Sequence, residues 1–468
     1  MRKRFAEGFI VSFLLVLSLF FTSCSHINVQ TEDYFKKPSN VQQTERILNS
    51  VYEFCGEDAE LVYALSGQNI NPIVFNDLNG DGNDEVIVLY RNSRTHPNND
   101  DRVNIMILTD DGETVSSLFD IEGLGYDIDK YLISDMNNDG CSELIVGYQI
   151  VENSKVIFVY SFDFEKMTFM PCVNTQYTDF VLTDIDSDGK NDIVLVYYNH
   201  VRNETYANVI KCLKNGSIYL SSIADTPMSV SGGMYKMTVS EDSSGKSSVL
   251  VSSRQKTYLS SIEVLTWNER FGIIINESYA QDNVLPNTNV DINYCSFGRL
   301  IPTDINDDGY IEIPICYRFD EMNLQYELNQ GKETSKYLYG WYRYDSKSGL
   351  EKVLDSYISE ANNYVFIIKD NWSFSKVKAY ETYKKDLLFY YVSDYDFYSE
   401  EKLLLFTIKT SASKVKASDT VIPLSKGNGL YYYIELNPDV PEELKNNVIP
   451  SAEELKDSFI LTMLVAEN

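Results

Sequence analysis

A nine-residue pattern rich in side-chain oxygen, Asp-x-Asp/Asn-x-Asp-Gly-x-x-Asp/Glu, occurs at four places in this chain. The copies begin at Asp77, Asp135, Asp184 and Asp304. Acids and amides at positions 1, 3 and 5 of such a turn converge on one point, and the glycine at position 6 allows the chain to curl sharply. Calcium takes about six to eight oxygen ligands. The pattern therefore predicts calcium-binding turns.

A degenerate copy is expected between Asp184 and Asp304, because this interval is about twice the earlier ones. Residues 240–248 fill the position: they retain Gly245 but have serine at positions 1, 5 and 9. Serine brings no negative charge to a cation, so this copy predicts a turn without an ion. In chain order the five copies are the first to fifth turns, and the fourth is the degenerate one.

The predicted ligands of each intact turn are the side chains at positions 1, 3, 5 and 9 and the backbone carbonyl at position 7. They are Asp77, Asn79, Asp81, Asn83 and Glu85 in the first turn; Asp135, Asn137, Asp139, Cys141 and Glu143 in the second; Asp184, Asp186, Asp188, Lys190 and Asp192 in the third; and Asp304, Asn306, Asp308, Tyr310 and Glu312 in the fifth. We therefore expect about four Ca²⁺ ions.

An EF-hand also places acids at alternate positions, but it needs glutamate at position 12 and a helix on each side. Position 12 is apolar here, with Val88, Val146, Leu195 and Ile315. The flanking runs, such as residues 85–90, are short, apolar and β-branched, which predicts buried strands. The remaining alternative is that the acidic turns bind nothing and only solvate hairpins. Four full copies at a regular period argue against it.

The N-terminus predicts export. Basic residues at 2–4 precede an apolar run from Phe9 to Phe21, which is followed by small residues and Cys24. This order is typical of a secretory signal, and the run is shorter than the roughly 20 apolar residues that a membrane span needs. Cys24 resembles the acylated cysteine of a bacterial lipobox. We expect a signal peptide at 1–23, a tether at 24–39, and an extracellular protein held at the membrane by its lipid anchor alone.

Strand, acidic turn and three further strands would make one blade of an antiparallel propeller. The turns resemble the FG-GAP/VCBS repeats of the integrin α-subunit, and the whole chain resembles the VCBS-repeat lipoproteins of anaerobic Gram-positive bacteria. The resemblance implies a mainly β fold, a β-propeller, with calcium at positions 1, 3, 5 and 9 of each intact turn. The family's usual ring has seven blades, and five repeats are visible here over roughly residues 69–358.

The segments that flank the repeats are predicted from local patterns. Residues 40–358 are assigned to a helical lead-in, with apolar residues at helical spacing over 40–55, plus the calcium-binding propeller. Residues 360–468 are assigned to a small α+β domain. Within it, Ser451 and Glu454 form a capping-box pattern that predicts the start of a last helix, which carries Phe459 and Ile460.

Composition excludes several classes of function. The formal net charge of −29 opposes contact with nucleic acid or anionic lipid, because like charges repel before any contact forms. The seven cysteines include no CxxC pair, so they predict neither a zinc site nor a disulfide scaffold. With three histidines in the chain, metal catalysis based on histidine is not expected.

We expect a non-catalytic surface module, not an enzyme, that binds an extracellular protein or glycan. An alternating aromatic run is the candidate platform for saccharide stacking, although tyrosine is more often half-buried in a sheet: Tyr339, Trp341, Tyr342 and Tyr344. One alternative is an envelope assembly or structural factor. Another is a carbohydrate-active enzyme with paired carboxylates across a propeller funnel. No such pair can be separated from the calcium ligands, so no catalytic residue is predicted.

Overall fold

The computed structural model describes residues 41–461 except 93–101, 153, 200, 203, 214–215, 222–225, 229–233, 255–258, 278–295, 298–299, 317–332, 337, 373 and 393–401. The predicted signal peptide, Cys24 and the tether lie outside the described residues. No helix in the described ranges combines the length and the apolar character that a membrane span needs.

The described chain is mainly β, as the sequence predicted, and its strands form antiparallel sheets that follow one another in sequence. The first sheet holds β1 (Glu60–Leu61), β2 (Ile73–Asn76), β3 (Glu85–Arg91), β4 (Val103–Asp110) and β5 (Val115–Ile121). The second holds β6 (Asp127–Ser134), β7 (Glu143–Val151), β8 (Ser154–Asp163) and β9 (Thr168–Tyr177). The third holds β10 (Asp179–Thr183), β11 (Asp192–Asn199), β12 (Glu204–Cys212), β13 (Ile218–Leu220) and β14 (Thr226–Met228).

The later sheets continue the pattern. The fourth holds β15 (Met234–Glu241), β16 (Ser247–Arg254), β17 (Leu259–Asn268), β18 (Ile273–Asn276) and β19 (Ser296–Phe297). The fifth holds β20 (Glu312–Cys316), β22 (Tyr339–Asp345), β23 (Gly349–Ser359), β24 (Tyr364–Ile368) and β30 (Phe459–Leu461). The sixth holds β21 (Glu333–Ser335), β25 (Val377–Thr382), β26 (Leu387–Val392), β27 (Lys402–Ser411), β28 (Val421–Gly427) and β29 (Leu430–Leu436). Two 3₁₀ turns lie at Glu360–Asn362 and Phe374–Lys376.

Successive sheets pack face to face through apolar cores. In β7, Leu144 and Val146 belong to the core shared with the first sheet, whereas Ile145 belongs to the core shared with the third. Further cores join the third sheet to the fourth and the fourth to the fifth. Because neighbouring strand residues point to opposite faces and both faces are covered, these strands are apolar throughout.

The first four turns each connect two paired antiparallel strands. They join β2 to β3, β6 to β7, β10 to β11 and β15 to β16. In the fifth sheet the strand before the turn is reduced to an isolated bridge between Thr303 and Glu312. Each of the first five sheets therefore contains one of the five turns.

Strand pairing continues across residues 358–360, where the sequence predicts a domain boundary. β24 pairs with β23 across this point, and β30 returns from the C-terminus to pair with β24. Tyr357 and Phe366 of the fifth sheet also share one core with Phe389 and Phe406 of the sixth. The C-terminal helices are short: α2 (Glu442–Asn447) and α3 (Ala452–Asp457). The Ser451 capping box is confirmed, but Phe459 and Ile460 lie in a strand, not in the helix.

The predicted lead-in helix is α1 (Val41–Cys55), and its apolar face packs on the first sheet. Ile47 and Val51 lie against Val86 and Val88 in a shared core. At the edge of this contact, two side chains of opposite charge meet.

Nε and Nη2 of Arg46 in α1 donate to the carboxylate of Asp110, at 2.6–3.1 Å. Burial alone would raise the pKa of Asp110, but hydrogen bonds from Arg46 and Gly112 outweigh it and lower that pKa. The resulting stability is present above the ordinary pKa of about 3.9 and is lost as the pH falls through the lower folded value.

Asp110→Asn should lower the unfolding midpoint by a few degrees at pH 7. Circular dichroism melts should show this difference shrinking below about pH 4; an unchanged gap at pH 2.5 would contradict it.

Candidate metal sites

The first turn is held by its own acid and amide side chains. Asp77 at position 1 accepts hydrogen bonds from the backbone N–H groups of Gly80, Asp81 and Gly82, at 2.8, 3.1 and 2.9 Å. Asn79 at position 3 accepts from the N–H of Asp81 at 2.8 Å. These bonds curl the chain tightly around the position-1 carboxylate.

The other intact turns repeat this wrapping. The position-1 carboxylate accepts from the N–H of the position-6 glycine: Gly140 to Asp135 at 2.9 Å, Gly189 to Asp184 at 2.8 Å and Gly309 to Asp304 at 2.8 Å. These glycines have φ between 84° and 91°, a region that side chains disfavour. The spacing of the motif thus produces the same backbone in every intact copy.

Position 7 is placed by position 5. The N–H groups of the position-7 residues Asn83, Cys141, Lys190 and Tyr310 donate to the position-5 carboxylates, at 2.8, 2.9, 3.0 and 3.0 Å. Their predicted role as carbonyl ligands remains a prediction.

The position-9 acid lies beneath the turn and is buried. Glu85, Glu143, Asp192 and Glu312 are each at most 2% exposed. Each accepts from the backbone N–H of position 2, at 2.9, 2.8, 3.3 and 3.1 Å respectively. Burial is the main cause that raises the pKa of Glu143, Asp192 and Glu312 to about 7. A cation in the turn would favour the charged form of these acids.

The third turn offers a direct test of whether the residues fit calcium. Oxygen atoms of Asp184, Asp186 and Asp188 all lie within 4.8 Å of one another. In addition, Oδ1 of Asp186 is buried and has no hydrogen-bond partner. Three converging carboxylates with an unpaired buried oxygen match the hard oxygen ligands that calcium prefers. The residues therefore fit the predicted ion, and Asp184, Asp186 and Asp188 are the side chains that would hold it.

Successive turns touch one another along one edge of the sheets. The N–H of Ser142 donates to the carbonyl of Leu78 at 2.8 Å, and Nδ2 of Asn138 donates to the carbonyl of Gly189 at 3.1 Å. Gly80 in the first turn lies so close to the second that a Cβ atom there would come within 2.4 Å of the carbonyl oxygen of Gly140. Each of the first three turns thus contacts the next, so a structural change in one turn will affect its neighbour.

The fourth turn keeps the glycine but is tighter than the intact turns, because β15 and β16 pair as far as Glu241 and Ser247. Gly245 has a φ of 78°, and its N–H donates to the carbonyl of Asp242 at 2.9 Å. The carboxylate of Asp242 accepts from the hydroxyls of Ser244 and Ser346, at 2.6 and 2.5 Å. Its pKa is strongly lowered, since these and backbone hydrogen bonds overcome the opposing effect of burial. Hydrogen bonds from hydroxyls and backbone N–H groups therefore stabilise the negative charge of Asp242.

Comparison with known proteins leaves the family open. No model of a known protein family matches the chain, and no curated protein matches it. Among the solved structures that match is a candidate 6-phosphogluconolactonase from Bacteroides fragilis, with 10% identity, coverage of 74% of this chain and 92% of that one, and a TM-score of 0.26. The FG-GAP/VCBS resemblance and the lipoprotein assignment therefore stay predictions.

One prediction is corrected by this comparison. The sequence led us to expect a protein that is not an enzyme, whereas the matching structure is described as an enzyme. The exclusion of catalysis does not stand. At this identity and TM-score the neighbour assigns no activity, substrate or catalytic residue to the present chain either.

The predicted stacking platform is wrong. Tyr339, Trp341, Tyr342 and Tyr344 are at most 6% exposed, and Trp341 is fully buried. Nε1 of Trp341 donates to the hydroxyl of Ser356 at 2.8 Å inside the fifth sheet. The aromatic run alternates because both faces of β22 are covered, not because one face meets solvent. These rings are core residues.

A polar cavity of about 120 Å³ lies between the third turn, the fourth turn and the fifth sheet. Tyr344 lines it together with Trp267, which the sequence analysis did not single out. Carboxylates of Glu277 and Glu269 also line it, and Glu277 accepts from the hydroxyl of Thr266 at 3.0 Å. Residues separated by about 80 positions meet here, so no local pattern could have pointed to the cavity.

Two basic side chains that the sequence analysis missed reach the turns. Nζ of Lys211 contacts Asp186 and Asp192 of the third turn, and the guanidinium of Arg343 contacts Asp308 and Glu312 of the fifth. A signal existed for Lys211: it is the one charged residue within the mainly apolar segment 207–212. Buried charges in proteins require a partner, and here the partners are the turn acids.

Single turns should differ in the ions they hold. Asp188→Ala removes one of the three converging carboxylates of the third turn, so the variant should carry one Ca²⁺ fewer than the wild type. Ser244→Ala, at the same position of the fourth turn, should leave the calcium content unchanged. Elemental analysis after dialysis against trace calcium measures both. An equal calcium content in the two variants would contradict the assignment.

Proposed function

We propose that this chain is a calcium-stabilised, membrane-anchored extracellular binding module. The observation that carries the proposal is the shared geometry of the intact turns, in which the position-1 carboxylate accepts from the position-6 glycine and the position-9 acid is buried beneath the turn. Such turns connect strands within their sheets, and an ion in each would reduce the repulsion among their carboxylates. In this role calcium stiffens the scaffold, and recognition is left to other surfaces.

Cell-surface attachment is the second part of the proposal. It is supported by the basic and apolar N-terminal segment and by Cys24, which would be acylated after export. Metabolic labelling of cells with a radioactive or clickable fatty acid should label the wild-type chain. Cys24→Ser should abolish the label and release the protein into the medium, while Cys172→Ser should change neither. Retention of label in the Cys24 variant would contradict the anchor.

For the bound partner we propose an extracellular glycan, taken up at the cavity between the third turn, the fourth sheet and the fifth sheet. The cavity combines an aromatic ring, Trp267, with the carboxylate of Glu277 and hydroxyl groups. Aromatic faces with a few oriented polar groups are typical of small-molecule sites. The proposal does not exclude catalysis at this place, so hydrolysis of each bound glycan belongs in the same assay.

A glycan array followed by titration of the best hit tests the partner. Trp267→Ala should weaken the binding of that glycan at least about tenfold, the effect of losing roughly 1.4 kcal/mol. Phe271→Ala is the matched control, because Phe271 is aromatic, 60% exposed and does not line the cavity. Binding that survives in Trp267→Ala, or an array without a hit and a protein captured by surface cross-linking, would overturn the glycan and favour the envelope-factor alternative.

A further inference from the structure

In the first and second turns, the buried position-9 glutamates accept hydrogen bonds from uncharged donors. Nδ2 of Asn79 donates to Oε1 of Glu85 at 2.9 Å, and Nδ2 of Asn137 donates to Oε1 of Glu143 at 3.0 Å. Among the described residues, no lysine or arginine forms an ion pair with either glutamate. Amide donors stabilise these acids, but they leave the negative charge of the turn uncompensated until a cation binds.

The third turn differs because position 3 is an acid. Asp186 cannot donate to Asp192 when both are ionised, and a lysine from β12 fills the gap. Nζ of Lys211 lies 2.8 Å from Oδ2 of Asp186 and 2.8 Å from both oxygens of Asp192. The side chains of Lys211 and Asp192 are 7% and 1% exposed. The same Nζ lies 4.8 Å from the ring centroid of Trp267.

The fifth turn has a cation from a different strand. Arg343 in β22 lies directly across from Glu312 in the strand register. Its guanidinium donates to Oδ2 of Asp308 and lies 3.4 Å from Oε1 of Glu312, which is fully buried. The guanidinium also stacks at 4.0 Å over the ring of Tyr310. Here Asn306 donates to Asp308 at 3.1 Å instead of to the position-9 acid.

We propose that Lys211 and Arg343 are tethered cations that hold the third and fifth turns together in the absence of calcium, so that chelation opens the first and second turns first. The inference rests on the proposed calcium function and adds an order to it. When the ion leaves, a cationic side chain still balances the charge of the buried acid beside it. A buried acid without such a partner strongly destabilises the fold. A tethered positive charge also repels a divalent ion, so each should weaken calcium binding in its own turn.

Lys211→Met tests the proposal, because it keeps most of the unbranched side chain and removes the charge. Melting is followed with saturating calcium and with chelator. In chelator the variant should melt about 5 °C or more below the wild type, and calcium should restore most of the loss. Lys211→Arg, which keeps the charge, should melt close to the wild type in both conditions. Lys246→Met is the control beside the fourth turn, where Lys246 and its partner Glu269 are 49% and 72% exposed; it should change neither melt.

A local readout is the fluorescence of Trp267. Loss of calcium should leave its emission unchanged in the wild type but shift it in Lys211→Met, and a parallel Trp267→Phe series identifies which signal belongs to this ring. Hydrogen exchange should show residues 77–85 and 135–143 losing protection in chelator before 184–192 and 304–312.

The outcomes separate the two proposals. An equal loss of stability with and without calcium in Lys211→Met, or simultaneous loss of protection in all four turns, overturns the tethered-cation role while the calcium function stands. A wild type whose melting is the same in calcium and in chelator overturns the calcium function, whereas an unchanged melt of Lys211→Met in chelator overturns the tethered cation alone.

Discussion

Removal of calcium is expected to lower the thermal unfolding midpoint of the wild-type protein by about 10 °C or more. An ion that binds only the folded state stabilises it by about 4 kcal/mol at a thousandfold excess over its Kd. In a chain of this size, about 1 kcal/mol corresponds to roughly 2–4 °C or less. The strongest local reason lies in the first and second turns, where the buried Glu85 and Glu143 accept from the uncharged side chains of Asn79 and Asn137. Differential scanning fluorimetry with calcium and with chelator measures the effect.

Magnesium is the control for this prediction. It is smaller than calcium, prefers an octahedral shell and gives up its water reluctantly, so it should restore only a small part of the midpoint lost on chelation. Two observations would count against the predicted sites: superimposable melts in calcium and chelator, and dialysed protein without calcium by elemental analysis.

Trp341→Ala is expected to destabilise the protein by about 3–5 kcal/mol, the usual cost of truncating a buried tryptophan. Its ring lies in a core with Leu300, Ile358 and Val365, and the change also leaves the hydroxyl of Ser356 without its indole donor. Urea unfolding at constant calcium measures the free energy. The result bears directly on function, because a stacking platform would instead lose ligand binding at nearly unchanged stability.

Tyr383→Ala is the matched control for this variant, since Tyr383 is an aromatic residue that is 78% exposed. Its free energy of unfolding should stay within about 0.5 kcal/mol of the wild type. If Trp341→Ala cost less than about 1 kcal/mol and abolished glycan binding, the ring would be a recognition residue after all, and its assignment to the core would be wrong.

Local patterns predicted the parts of the molecule that depend on near neighbours in sequence. The turns are of this kind: Asp77 bonds only to residues 80–82, and the φ of Gly82 follows from the same nine residues. The N-terminus of the last helix is equally local, because Ser451 and Glu454 cap each other three residues apart. The mainly β class follows as well, since short β-branched runs on both sides of a turn pair as hairpins.

Contacts between distant residues decided the rest. The last strand was predicted as helix because its apolar residues fit helical spacing, but Phe459 pairs with Phe366 in the fifth sheet, and this pairing overrides the local preference. The sequence of the aromatic run at 339–344 is equally consistent with an exposed platform and with a strand covered on both faces. Only the packing of the neighbouring sheets shows that it is covered.

The sequence by itself therefore determined where five turns lie and which four have the oxygen ligands for calcium, because both are set within nine residues of chain. Tertiary structure alone decided which turns meet a cation of the protein's own. Lys211 reaches Asp192 from the neighbouring strand, and Arg343 reaches Glu312 across 31 positions of chain. Neither distance can be read from residue spacing, because it depends on which strands lie side by side. The acids of the motif are alike in sequence, but the arrangement of the strands gives only some of them a positively charged partner.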